Sequence, residues 1–233
     1  MSESKLEVLP SVATLRGYDR WSAHYDRDDN PMLAATAWAL EVRPLEVAGA
    51  RVVELGCGTG RHAAQILAAG ARAYVGVDGS EGMLDVARAT SPDPRCTWVH
   101  AALDAVPPLG EPFDVALIVL VLEHLAELAP VFEAAGRAVR PDGVLRITEI
   151  HPDLVVAGTM AHFRDDAGAE VRFTSVAHPV AQLESALAAT GFAIERLDEP
   201  TADGALLARV PRLSKRRGRR VLLDLAARRT TPT

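Results

Sequence analysis

The chain has 233 residues, 48% hydrophobic and 24% charged, with a net charge of −6, a composition that excludes a disordered chain. Its two cysteines, Cys57 and Cys96, exclude a disulfide framework and suit a reducing cytoplasm. The longest apolar run, Val115 to Leu122, is far short of the ~20 residues of a membrane span, and the start MSESKLEVLP lacks the basic and apolar blocks of a signal peptide. We therefore expect a cytoplasmic protein with no membrane partner. Charge is uneven along the chain. Eight of the 25 basic residues lie between Arg212 and Thr233, against one acid, Asp224. The remaining body is strongly acidic and would repel nucleic acid, so any such contact would have to come through the tail.

Residues 1–50 read as a helical cap, in which Tyr18, Trp21 and Tyr25 share one helical face. From Arg51 onward, short apolar runs alternate with amphipathic stretches, the pattern of a mostly parallel sheet covered by helices on both faces. Strands are predicted near 51–55, 72–77, 96–100, 113–119 and 143–150, with helices near 61–69, 80–89 and 123–140. Residues 151–177 interrupt the alternation with an insertion of lid-like size. A helix near 179–190 follows, then strands near 192–198 and 205–210. The short connection 200–204 predicts an antiparallel edge hairpin. The expected class is thus α/β with seven strands, in a domain spanning 1–210. Residues 211–233 are expected to form a basic helix or tail, centred on 212–229.

The most informative stretch is Val52-Val-Glu-Leu-Gly-Cys-Gly-Thr-Gly-Arg61. A strand runs straight into Gly56, Gly58 and Gly60 and then into a helix. Glycines let the backbone turn tightly and approach a ligand with no Cβ in the way. The spacing is neither the GxGxxG of dinucleotide sites nor a P-loop, since Arg61 stands where a third glycine would fall and no Gly-Lys-Ser/Thr follows. It is ExGxGxG, led by Glu54. A second acid, Asp78, ends the next predicted strand, where a carboxylate can accept both hydroxyls of a ribose.

With Glu54 before the loop and Asp78 after it, the sequence resembles the class I S-adenosylmethionine-dependent methyltransferases, in particular the small-molecule UbiE-like group. Further likeness lies in Asp78-Gly-Ser80 with Met83, in Phe113-Asp114 through Glu123-His124-Leu125, and in Arg137-Ala-Val-Arg140-Pro141-Asp142-Gly143. Tyr18-Asp19-Arg20-Trp21 and Tyr25-Asp26 resemble the family's amino-terminal cap. The likeness covers residues 17–210. It implies a Rossmann-like fold and S-adenosylmethionine as cofactor, with S-adenosylhomocysteine as product. Around that cofactor it implies Tyr25, Glu54, Gly56, Cys57, Gly58, Asp78, Gly79, Met83, Leu103, Asp104 and Val119. The family's usual acid after the third strand is absent: Ala102 stands there, and Asp104 is the nearest substitute.

Methyl transfer is an in-line displacement in which the protein positions the nucleophile and, where needed, removes its proton. Ligands of open α/β sheets bind beyond the carboxyl ends of the strands. Two histidines follow strands there, His151 and His124, and an imidazole suits proton removal near neutral pH. His151 is the first candidate base and His124 the second. Tyr18, Trp21, His24 and His162 are candidate substrate contacts. No HxxxH or CxxC spacing supports a metal site. The Ile118-Val-Leu-Val-Leu122 segment stands where amino-methylating nucleic-acid enzymes carry an Asp/Asn-Pro-Pro-Tyr/Phe loop. This favours O- or N-methylation of a small secondary metabolite, in natural product biosynthesis, by a monomer or homodimer. The alternatives are a tRNA or rRNA methyltransferase docking through the Arg-rich tail and an S-adenosylmethionine-binding protein without methyl transfer.

Overall fold

The computed structural model describes residues 6–9, 13–27 and 30–230. A short strand, β1 (Leu6–Leu9), precedes two helices, α1 (Thr14–Trp21) and α2 (Pro31–Val42). Asn30 caps α2 by accepting the Met32 N–H at 2.9 Å, and Pro31 supplies a fixed φ at the first helical position. The alternating part then runs β2 (Arg51–Leu55), α3 (Ala63–Ala68), β3 (Ala73–Asp78), α4 (Glu81–Thr90), β4 (Cys96–His100), β5 (Phe113–Val119), α5 (Ala129–Ala138) and β6 (Val139–Ile150). After it come α6 (Pro152–Val156), β7 (His162–Arg164), β8 (Glu170–Phe173), α7 (Val180–Ala189), β9 (Phe192–Asp198), α8 (Gly204–Arg209) and β10 (Leu222–Arg229).

Seven strands form one sheet in the order β4-β3-β2-β5-β6-β10-β9, and every pairing is parallel except the two made by β10. The α/β class, the mostly parallel sheet and the antiparallel edge pair are as expected. Alternate residues of each strand serve opposite faces. Val53 and Leu55 of β2 join Ala116 and Ile118 of β5 in a core closed by α5 and α7. Val52, Val115 and Leu117 face the other way, into a core closed by α2 and α3. Both faces are covered, which is why the strands read as nearly continuous apolar runs.

Three expectations need correction. The cap is not wholly helical, because β1 pairs with β8 and β8 with β7 in a second, three-stranded sheet. The insertion and the amino terminus thus fold together, with α1 against them: a Cβ at Gly17 would lie 2.4 Å from the Phe173 ring. Residues 205–210 form α8, not a strand, so 200–204 is no hairpin turn. Leu206, Leu207 and Val210 bury one side of that helix against Met32, Ala35 and Ala39 of α2.

The seventh strand comes instead from the tail, where a basic helix was expected. Leu, Ala and Arg are good helix formers, but Leu223, Leu225 and Ala227 fill one core while Leu222 fills another. Only a strand places alternate side chains in cores on opposite faces. The described part of the tail is therefore no separate basic helix: β10 lies between β6 and the edge strand β9. Its one acid, Asp224, is buried and receives Arg146 at 2.7 Å, Arg196 at 3.1 Å and the Thr148 hydroxyl at 3.1 Å. Burial lowers the Arg146 pKa and the Asp224 charge opposes that shift.

Truncating one partner of a buried ion pair leaves the other uncompensated, at a cost of about 3–5 kcal/mol. Asp224→Ala should therefore destabilise the fold by about that amount in urea denaturation. A loss under about 1 kcal/mol would show that Arg146 is adequately solvated without it.

Candidate functional site

The glycine loop is built at the carboxyl ends of β2 and β3. Gly56 and Cys57 both donate their N–H to the Val77 carbonyl, at 2.8 and 3.1 Å. Gly56 has φ +80°, and a Cβ there would lie 2.3 Å from Val121 Cγ2. Gly58 has φ +52°, yet a Cβ there would meet no protein atom within 4 Å. The first glycine is demanded by the fold, whereas the second leaves space toward a ligand. Asp78 closes the loop: Oδ2 accepts the Gly58 N–H at 2.8 Å and Oδ1 the Ser80 N–H at 2.9 Å. Burial raises its pKa, and the two N–H donors pull the other way. Each oxygen retains a lone pair for a hydroxyl.

A cavity of about 410 Å³ opens beside this loop, within the ~300–1,000 Å³ range of small-molecule sites. Of the residues expected around a cofactor, Tyr25, Gly56, Gly58, Asp78, Gly79, Met83, Leu103, Asp104 and Val119 line it. Ala102 lines it too, so both positions weighed for the missing acid are present. Among the described residues no Lys or Arg lines the cavity, whereas Asp78, Asp104 and Glu127 do. Such walls disfavour a pyrophosphate and favour a cation that carries hydroxyls. S-adenosylmethionine, with its sulfonium, its ammonium and a ribose, fits this donor set. Met83, Leu103 and Leu125 supply apolar surface for a flat ring.

Glu54 and Cys57 are placed differently. Cys57 points its sulfur under the loop toward Gly76, so only its backbone serves the site. Glu54 is fully buried between His62 (Nδ1 to Oε1, 2.8 Å) and the Tyr74 hydroxyl (2.5 Å). It borders a smaller cavity of about 30 Å³ beside the loop, shared with Tyr25 and Arg61.

The roof of the main cavity comes from α1. Tyr18 stacks on Trp21 and Phe173, with centroids 5.7 and 4.8 Å apart. Its hydroxyl lies 2.8 Å from His124 Nε2, and both residues line the cavity. His124 sits on a 3-10 turn, Leu122–His124, just after β5. Burial lowers the His124 pKa while Glu123, with Oε1 3.9 Å from Nε2, opposes the shift. Burial raises Tyr18 well above the ordinary phenol value. At neutral pH the pair is therefore a neutral imidazole and a neutral phenol. Asp19 ties the roof down, since its Oδ1 accepts the Ser80 hydroxyl at 2.6 Å and the Gly82 N–H at 3.0 Å.

Other candidates fall outside the cavity. His151, the first candidate base, is 1% exposed and caps α6. Its Nδ1 accepts the Asp153 N–H at 3.1 Å, so Nε2 carries the proton toward Glu199 at 2.8 Å. Both ring nitrogens are thus engaged by protein partners, away from the cavity. Trp21 is core of the small sheet. His24 faces solvent near Asp166, and His162 faces solvent beside the Met160 carbonyl. Sequence reasoning missed Leu15, which packs where a Cβ of Gly79 would be, 2.8 Å away. It also missed Leu120, which takes φ +54° at the cavity wall. Glu149 was overlooked as well, although it is the one acid in the stretch Val144–Ile150 that ends β6.

Comparison with known proteins agrees with this geometry. A methyltransferase domain family matches residues 52–143, the span from β2 to the start of β6's long run. An uncharacterized methyltransferase of Emericella nidulans is 28% identical over 226 residues, covering 80% of this chain and 78% of that protein. A ubiquinone biosynthesis O-methyltransferase of Azorhizobium caulinodans is 28% identical over 166 residues, 68% of this chain and 64% of the relative. The chain thus spans just under two thirds of that second protein. The crystal structure of an S-adenosylmethionine-dependent methyltransferase from Mesorhizobium loti superposes with TM-score 0.72 at 28% identity, covering 86% of this chain and all of that one.

The contrast between Gly56 and Gly58 can be tested. Gly58→Ala meets no protein atom and pays only the left-handed cost of about 1–2 kcal/mol. It should stay folded while weakening S-adenosylhomocysteine by about tenfold or more in calorimetric titration, because its methyl enters the ligand's space. Unchanged affinity would remove the loop from the binding site.

Proposed function

We propose that this chain, which belongs to the class I S-adenosylmethionine-dependent methyltransferases, methylates an oxygen or nitrogen nucleophile of a small molecule, with Tyr18 and His124 taking up the proton. The observation that carries this reading is the 2.8 Å contact between the Tyr18 hydroxyl and His124 Nε2 in the wall of the Asp78 cavity. When bound, the cofactor supplies an electrophilic methyl on a sulfur that leaves as a neutral thioether. Asp78 and the glycine loop orient that ligand, and the apolar walls exclude water. Tyr18 donates its proton toward His124 and keeps lone pairs for a substrate O–H or N–H. As the new bond to carbon forms, the substrate proton passes to the Tyr18 oxygen and the phenol proton to His124. The resulting imidazolium is balanced by Glu123, 3.9 Å away.

The substrate class is supported by the apolar cavity, by the absence of a base-flipping loop after β5, and by the relative named for ubiquinone biosynthesis. The proposed setting is the metabolism of small, partly apolar compounds such as phenols, natural products among them. The tail that motivated an RNA-docking alternative gives eight of its residues, Leu222–Arg229, to β10. Among its cations, Arg220 is engaged with Asp153 and Glu199, Arg228 with Glu195 and Arg229 with the Val139 carbonyl. This weighs against that alternative.

The test begins with calorimetric titration of S-adenosylhomocysteine, with NADH as a control. Asp78→Ala should weaken binding by about tenfold or more, the worth of hydrogen bonds to a charged group. A panel of phenols, alcohols and amines then serves for turnover. His124→Gln and Tyr18→Phe should lower kcat by about 10²–10⁴-fold, as for loss of general base catalysis, with cofactor affinity nearly unchanged. Because His124 is shifted below its ordinary value, activity should hold through neutral pH and fall only on acidification below about 6.5. Variants that keep full turnover would assign the proton transfer to solvent.

A further inference from the structure

Glu149 is 3% exposed at the carboxyl end of β6. Its Oε1 accepts two backbone N–H groups, from Val121 at 2.8 Å and Leu122 at 3.1 Å. These residues directly follow Leu120 in its left-handed conformation and lead the 3-10 turn that carries His124. The other oxygen, Oε2, is buried with no protein partner. Glu149 borders a cavity of about 20 Å³ together with Glu123 and His178, room for one water molecule. His178 Nε2 donates to the Leu125 carbonyl at 2.8 Å, which leaves Nδ1 as an acceptor. That atom too is buried with no protein partner. One orphan on a carboxyl and one orphan imidazole nitrogen thus share a space sized for a single bridging molecule.

We propose that Glu149 is a positioning residue for the Tyr18–His124 pair. Its Oε1 fixes the turn that aims His124, and one water molecule between Oε2 and His178 Nδ1 ties that turn to the segment leading into α7. This rests on the reading of His124 given above. The bridge has a definite polarity. Oε1 already accepts two N–H groups, so the proton of the neutral acid sits on Oε2 and is donated to the water. The water in turn donates to His178 Nδ1.

The surroundings favour the neutral acid. Glu123 faces Glu149 from the 3-10 turn, His178 from the segment before α7, and the Tyr18 phenol from α1. The elements α6, α7 and β10 present only Pro152, Val155, Leu183 and Leu223. No Lys or Arg among the described residues lines the cavity. Burial, with Glu123 adding to it and the two N–H groups opposing, pushes the carboxyl up to about 8. Above that pH a negative charge appears on Glu149 beside Glu123, and the donor to the water is lost.

Glu149→Gln separates a neutral from an ionised role, because an amide reproduces both N–H acceptance and donation to the water. Wild type should bind S-adenosylhomocysteine several-fold more weakly as pH rises past about 8, since Val121, held by Oε1, lines the cofactor cavity and packs against Gly56 of the loop. E149Q should match wild type at neutral pH and lose the alkaline decline. E149L should be weakened about tenfold at every pH, by the cost of two unpaired buried N–H groups.

Carboxyl ¹³C resonances, with Glu149 identified by its absence in E149Q, should show titration near 8. Stability adds a further readout. The native carboxyl holds its proton between the unfolded value near 4.5 and the folded value near 8, so wild-type stability falls across that window. E149Q lacks this slope, and its melting temperature should gain on wild type by roughly ten degrees from about pH 5 to 8. A carboxyl that titrates below about 6, or an E149Q protein as impaired as E149L, overturns the proposal. If wild type fails to bind S-adenosylhomocysteine, the cofactor reading falls. The carboxyl titration, with the ring-nitrogen shifts of His178 in E149Q against E149L, still decides the bridge, and it does so even if E149L does not fold.

Discussion

The site depends on one constraint, the stitching of the glycine loop to the end of β3. Val77 gives its carbonyl to Gly56 and Cys57, and Asp78 gives its two oxygens to Gly58 and Ser80. These bonds run between neighbouring strand ends, so the loop's shape is set by the sheet and not by the ligand. They also place Asp78 where a carboxylate is costly, buried and short of cations, which a cationic, hydroxyl-bearing ligand relieves. The roof answers to the same point. Ser80 caps α4 by accepting the Met83 N–H while its hydroxyl donates to Asp19 of α1. Floor and roof are therefore held at one helix terminus, and Leu15 closes over Gly79 where a Cβ would collide.

What the sequence made legible was local chemistry. Positive-φ glycines announce themselves by residue type, and an acid at a strand end is visible from the alternation of apolar runs. Hence the loop, Asp78, Gly79 and Met83 could be named without coordinates. The Tyr18–His124 contact spans 106 positions, and no spacing rule connects residues so far apart. His151 shows the complementary failure. Following a strand end told which rim of the sheet it occupies, but the turn into α6 directs its ring at Glu199 and the Asp153 N–H. The tail failed for a different reason. Its Leu, Ala and Arg residues prefer helix, and only the gap between β6 and β9, which buries alternate side chains in different cores, reverses that preference.

Polar groups near the cavity divide by how each is satisfied. Glu54 spends both oxygens on His62 and Tyr74, and thereby braces the loop from below. Asp224 spends its own on Arg146, Arg196 and Thr148, and braces the far half of the sheet. Structural carboxylates here are saturated. Those beside the cavity are not: Asp78 retains lone pairs, and Glu149 leaves one oxygen without a protein partner.

The two acids around the His124 turn carry this division further. Glu123 accepts the Ser175 hydroxyl at 2.7 Å and lies near the imidazole. Glu149, with no Lys or Arg among the described residues lining its cavity, is pushed by burial toward its neutral form. Two like charges in a buried space of this size would repel strongly. Burial favours the neutral form of Glu149, while Glu123 is the carboxyl that lies near the imidazole. On the proposed mechanism that asymmetry is useful. Glu123 lies where a carboxylate stabilises an imidazolium formed during transfer, while the neutral Glu149 holds the turn without competing for the proton. Were both acids charged, the resting imidazole would be drawn toward its protonated form and could no longer accept one.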